Sequence, residues 1–193
     1  MPSWNGSTER RHGTQSYERF SVAIVVRPLR PEDDRTGFTS GDSDLDRFFH
    51  KYAGGNQFRL YVGATYVAYQ DHAILGFFTV SPGEIEVENP PDSARKRYPK
   101  YPLPMLRLAR LAVDQRHQKK GIGSLLLGRV LSLALQMPEE VGCIGVVVDA
   151  LPGAVAFYEK YSFTALEVFE GHSGIRPRPV AMFLSMPEIK ENG

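Results

Sequence analysis

A single α/β domain on a mixed central sheet of about six or seven strands, flanked by helices, is the fold class this 193-residue chain predicts. Three observations carry that prediction. Apolar runs of strand length alternate with stretches of helical periodicity, the pattern of a layered α/β domain. The length suits one well-packed domain and is short for two. The run over residues 144–148 is continuous and apolar, as a strand covered on both faces should be. With 42% hydrophobic and 23% charged residues, the composition is globular rather than disordered or fibrous.

Taken in order, residues 1–20 lack periodicity and are expected to form a mobile tail, leaving a domain over 21–188. Residues 22–26 predict a first strand, closed by Pro28 and Pro31. Ser43 or Asp42 can cap a helix whose apolar residues Leu45, Phe48, Phe49 and Tyr52 recur at helical spacing, with Gly54-Gly55 ending it. Residues 60–69 and 73–80 predict two strands joined by a short hairpin at Gln70-Asp71-His72. The segment 82–104 holds six of the 14 prolines and is expected to be an irregular loop. A strand over 105–113 leads into a short basic loop, 114–120, and then a helix over 122–137 ended by Pro138. Its polar residues Ser124, Gly128, Ser132 and Gln136 form one stripe, so the helix is expected to be buried on most sides. Pro152 suits the first turn of a further helix, and residues 168–169 and 180–184 supply closing strands. The single cysteine, Cys143, excludes an intrachain disulfide and reads as core.

The loop between strand and long helix carries the chemistry. Backbone N–H groups from Lys119 to Ser124 can converge at a helix start, where the helix dipole favours an anion. Gly121 and Gly123 allow a tight turn and close approach to a phosphate, and Arg116, Lys119 and Lys120 add mobile positive charge. The loop reads as a pyrophosphate clamp. It is neither a Walker loop nor a G-x-G-x-x-G fingerprint.

Gln118-Lys119-Lys120-Gly121-Ile122-Gly123 resembles the Q/R-x-x-G-x-G/A signature of the GNAT acetyltransferases. The Arg110–Asp114 run R-L-A-V-D upstream, the strand over 143–149 downstream, and the segment from Ala154 to Phe163, similar to A-x-x-F-Y-x-x-x-G-F, match in the same order. The resemblance implies acetyl-CoA as co-substrate, held by Leu111, Ala112, Val113, Gln118, Lys119, Lys120, Gly121, Ile122, Gly123, Ser124, Asp149 and Phe157. Transfer from a thioester needs a polarised carbonyl, a neutral amine and a proton for the departing thiolate. Amides of Leu111 to Val113 suit the first task if this strand splays from the one over 144–148. Tyr158 resembles the family's general acid; the bland alternative is core packing with Ala154 and Tyr161. Asp114, Asp149 and His117 read as structural, Asp149 as a helix-entry residue and His117 as solvated loop, so no base is assigned. An α-amine with a pKa near 8 is already partly neutral. The histidines His12, His50, His72 and His172 show no ligand spacing with one another or with Cys143, and no metal site is expected.

A narrower resemblance covers about residues 25–187. Phe38-x-x-Gly41-x-x-x-Leu45-Asp46-x-Phe48-Phe49, then Asn56-Gln57, Tyr101-Pro102-Leu103-Pro104 and Met182 to Met186 are similar to the GNAT toxins of bacterial toxin–antitoxin modules. That likeness implies acetylation of the α-amine of aminoacyl-tRNA, a block of translation, a ribbon-helix-helix antitoxin as partner and a homodimer. The sequence departs from the pattern at Gln118 (commonly arginine), Ala109 (often glycine) and Ser162 (glycine), the last putting a left-handed turn in doubt.

Formal net charge is only +1, yet residues 95–120 hold nine basic residues against one acid, Asp114. Arg95, Lys96, Arg97, Lys100 and Arg107, interleaved with Tyr98 and Tyr101, suit phosphate contact and stacking on an unpaired RNA end. A solvated loop is the plain alternative. Rival functions are acetylation of a small amine or protein N-terminus, and a non-catalytic coenzyme A- or RNA-binding regulator. No 18-residue apolar stretch and no signal-like N-terminus occur, so a cytoplasmic protein with no membrane partner is expected.

Overall fold

Seven strands pair in the order β1-β2-β3-β4-β5-β7-β6 in the computed structural model, which describes residues 23–85, 102–166 and 179–191. The strands are β1 Val25–Pro28, β2 Ala64–Gln70, β3 Ala73–Ile85, β4 Leu103–Val113, β5 Gly145–Ala150, β6 Thr164–Ala165 and β7 Val180–Ser185. All described pairings are antiparallel except β4–β5, which is parallel and holds only over Leu106–Leu108 against Val146–Val148. The expected tail, the strand at 168–169, His12, His172 and the basic residues Arg95, Lys96, Arg97, Tyr98, Lys100 and Tyr101 lie outside the described residues.

Several expected boundaries are corrected. β1 begins at Val25 and includes Pro28, which an edge strand tolerates because one row of its N–H groups has no neighbour to serve. Asp42 caps α1, Ser43–Arg47, by accepting the amides of Asp44 and Leu45. The helical path then continues through a wide turn at Phe48–Tyr52, α2 at Ala53–Gly55 and a second wide turn at Asn56–Leu60. Gly54-Gly55 therefore does not end it; Tyr61, at φ 56°, does. The expected strand at 60–69 is shortened accordingly, and Tyr52 is exposed rather than part of the apolar stripe. Asp71 and His72 both take positive φ and close the β2–β3 hairpin, as expected.

The expected irregular loop over 82–104 is corrected at both ends, where residues 82–85 and 103–104 are strand. Pro82 lies inside β3, past the point where β2 stops pairing at Val80, and Pro104 lies in β4. Helix α3, Ile122–Glu140, runs through Pro138 instead of ending before it, at the cost of the intrahelical hydrogen bond that a proline cannot donate. It is buried on one face only, through Ile122, Leu126, Leu127, Val130 and Ala134; Leu125 and Leu135 face water, so the expected burial on most sides is corrected. A one-turn 3-10 helix at Pro152–Ala154 precedes α4, Val155–Glu159, and α5, Met186–Glu191, closes the chain's described part.

The sheet separates two cores. On one face α3, α4 and α5 pack on Phe78, Leu106, Leu108, Val146, Val148, Met182 and Leu184. On the other, Phe38, Phe48 and Phe49 cover Val67, Phe77 and Ala112, with Phe49 and Phe77 stacked at 4.2 Å.

Candidate active site

The split between β4 and β5 begins at a bulge. Leu108 pairs with Val80 and Arg110 with Thr79, so Ala109 is an extra residue in β4. A bulge bends the strand that carries it, and β4–β5 pairing stops at Leu108, immediately before it. The expected splaying is therefore present, and its cause is local. Beyond the bulge, the Asp114 N–H donates to the Leu75 carbonyl of β3 at 2.9 Å. Strand amides alternate in direction, so Ala112 also faces β3 while Leu111 and Val113 face the opening. Two of the three expected amide donors are brought there, and Ala112 is not.

The loop after β4 is held by its own side chains. Asp114 is fully buried and accepts from Thr39 N (3.2 Å), Arg116 N (3.0 Å), Arg116 Nε (2.8 Å) and Arg116 Nη2 (2.8 Å). The Arg116 guanidinium and these amides hold its carboxyl well below the usual carboxylate range. Arg116 also donates to the Gly37 carbonyl and Lys120 to the Arg116 carbonyl, so neither is the mobile charge expected. Gln118 donates to Ser40 O and Val113 O at 2.9 and 3.1 Å, placing its side chain as a brace of the loop. His117 is only partly solvated: its side chain is 31% exposed, while its Nδ1 is buried 3.5 Å from Asp114 Oδ1 without forming a hydrogen bond.

Gly121 stands at φ 83° and no side chain caps α3. Leu125 is the residue whose amide reaches the Gly121 carbonyl, at 3.0 Å. The amides of Ile122, Gly123 and Ser124 before it have no intrahelical acceptor, and they converge beside Val113. A Cβ on Gly123 would meet Phe157 at 3.6 Å and Val113 at 3.8 Å, ordinary contact distances, so α3, α4 and β4 meet closely here and leave little room for a larger side chain. Phe157 in turn lies edge-on to Tyr158, with centroids 5.1 Å apart. Tyr158 is 4% exposed, and burial pushes its hydroxyl well above the ordinary value. Lys119 adopts φ 60° in the same turn. These groups fit a diphosphate end and an acyl end of one extended thioester ligand. Ser162 takes φ 64°, so the left-handed turn of the glycine pattern is retained, not rearranged.

Asp149 departs from expectation. It lies within β5 opposite Ala181, and its carboxylate pairs with Arg107 on the face away from α3, so it is not a helix-entry residue. Arg110 was not singled out for binding, yet its guanidinium lies 3.8 Å from the Phe48 ring centroid, on the face opposite α3. Its signal was only a basic residue in a strand. Among the described residues no group of three His, Cys, Asp or Glu could hold a metal ion, and no helix is long and apolar enough to cross a membrane.

Residues 62–165 match the family described as acetyltransferase (GNAT) domain. A tRNA-acetylating toxin of Mycobacterium tuberculosis is 32% identical over 140 residues, covering 71% of this chain and 82% of its own. The fold is similar to AtaT complexed with acetyl-methionyl-tRNAfMet, at TM-score 0.77 and 23% identity over 88% of this chain and 99% of that one. It is similar also to a mutant AtaT toxin bound to the C-terminus of the antitoxin AtaR and acetyl-CoA, at TM-score 0.69 and 20% identity, covering 88% and 97%.

Proposed function

Because the chain belongs to the GNAT acetyltransferase family, we propose that it acetylates the α-amine of aminoacyl-tRNA with acetyl-CoA and so blocks translation. The observation that carries this reading is the uncapped start of α3 at the mouth of the β4–β5 split. The relative that acetylates tRNA supports the choice of acceptor.

Acetyl-CoA, when bound, supplies the acetyl group as a thioester. The amides from Lys119 to Ser124 hold its diphosphate at the positive end of α3. The Leu111 and Val113 amides, turned into the opening, donate to the acyl oxygen, where fixed donors act without reorganising. Tyr158 keeps its proton on Oη at neutral pH and, with the thioester bound, would give it to the sulfur as the amine nitrogen bonds the acyl carbon and the C–S bond breaks, the proton lost by the amine restoring the phenol; Phe157 fixes the distance between its ring and the start of α3. Asp114 is saturated by four donors and Asp149 is paired with Arg107, so neither serves as a base. An α-amine with a pKa near 8 supplies its own neutral fraction.

The reading extends to a cytoplasmic homodimer with a ribbon-helix-helix antitoxin. Leu60, Tyr61 and Val62, exposed at 64, 83 and 57%, leave adjoining apolar area of the kind a partner covers. Labelled acetyl-CoA tests the function. Charged tRNA should acquire label on its aminoacyl group and uncharged tRNA should not; label confined to small amines or protein N-termini overturns the assignment.

A further inference from the structure

Arg110 is a half-buried cation with no carboxylate or carbonyl partner among the described residues. Its neighbour on the same sheet face, Arg107, is neutralised by Asp149. The bulge at Ala109 is what turns Arg110 to this face: Leu106 and Leu108 pack under α3, and without an extra residue Arg110 would follow them. Instead its guanidinium carbon sits over the Phe48 ring, 3.8 Å from the centroid, and its forked N–H donors make no hydrogen bond to a described residue. Taking an arginine partly out of water without an acid partner is unfavourable, so among the described residues the site is short of one anion.

Two faces of the sheet border the split. Leu111 and Val113 lie on the α3 side, where the uncapped amides sit, and Arg110 and Ala112 lie on the Phe48 side. The cofactor's diphosphate is assigned to the first, so the second anion belongs to the acceptor. We propose that Arg110 receives the 5′-phosphate of the acceptor's terminal nucleotide, making it the residue that selects an RNA end over a free amine. This rests on the tRNA reading above. Guanidinium suits a phosphate because its planar donors match two oxygens at once.

The test uses two stable acceptors, 3′-aminoacylamino-adenosine with and without a 5′-phosphate. The wild-type enzyme should prefer the phosphorylated probe by about 10- to 100-fold in kcat/KM, the range for a hydrogen bond to a charged group. Arg110→Gln should bring that ratio to within about threefold of unity, and Arg110→Lys should retain part of it. The ratio is immune to any loss of folded enzyme. An unchanged ratio in R110Q, or no preference in the wild type while charged tRNA is still labelled, overturns the role of Arg110 alone. Acetyl-CoA affinity that falls in R110Q as far as the ratio does gives the phosphate to the cofactor and overturns it too. If the wild type labels neither probe nor charged tRNA, the tRNA reading falls with it.

Discussion

Tyr158 shows how one residue serves core and chemistry together. Its ring packs edge-on against Phe157 and Phe163, the core role its helical spacing allows, while the hydroxyl is kept neutral by burial. Tyr158→Phe preserves the ring contacts, so turnover should fall about 10²–10⁴-fold, the range for losing a general acid. Affinity for acetyl-CoA by calorimetry should stay near wild type. The raised pKa has a sign for stability as well. The neutral phenol is favoured in the folded state, so its contribution is complete below the ordinary tyrosine pKa of about 10 and is lost as pH rises beyond it. Chemical denaturation from pH 8 to 11 should show this alkaline loss in the wild type and a smaller one in Y158F.

At the scale of elements, the strand-to-helix connection is built so that its side chains bind protein and its backbone remains available. Gly123→Val adds methyl groups where a Cβ already touches Phe157 at 3.6 Å. Pushing α3 from α4 by overpacking should weaken acetyl-CoA binding by about 10- to 100-fold, by analogy with the 1–3 kcal/mol of such strain. Unchanged calorimetric affinity would contradict the clamp. Asp114 anchors the same connection to Thr39, 75 positions away in the chain. Asp114→Asn should cost about 2–4 kcal/mol in urea unfolding, since it leaves buried donors without their charged acceptor. Its folded pKa is depressed, so its stabilisation is present above the ordinary value of about 3.9 and is lost as pH falls below it. The wild-type and D114N stabilities should therefore converge on acidification.

The whole molecule concentrates charge against a nearly neutral background. Nine basic residues against one acid over residues 95–120 surround the loop in sequence, while the formal net charge of the chain is +1. Neutralising Arg95, Lys96 and Arg97 together should weaken tRNA binding and flatten its dependence on salt by about two to three in slope, because each phosphate contact releases a counterion. Filter binding across a salt series measures this. Equal slopes in wild type and triple variant would remove these residues from the RNA surface. Arg107 and Arg116 lie within the same stretch but pair with Asp149 and Asp114, so local charge exceeds the charge free to meet a ligand.

Local order was legible in the chain: the strand-length apolar runs of β2, β3, β4 and β7, the Asp42 cap, the Gly121 turn and Tyr158 four residues after Ala154 all follow from short-range chemistry. So did the family, through motifs whose spacing is contiguous. Element ends were less legible, because tertiary packing overrides the local cost of Gly54-Gly55 and Pro138 and carries the helices past them. What only the tertiary structure decided is where each charge goes. Arg116 turns to Asp114, Asp149 to Arg107, and Arg110 onto Phe48 because a single extra residue in β4 shifts its register against β3. Register reverses the face of every later side chain, and it is set by pairing between distant segments, which no local pattern in the chain records.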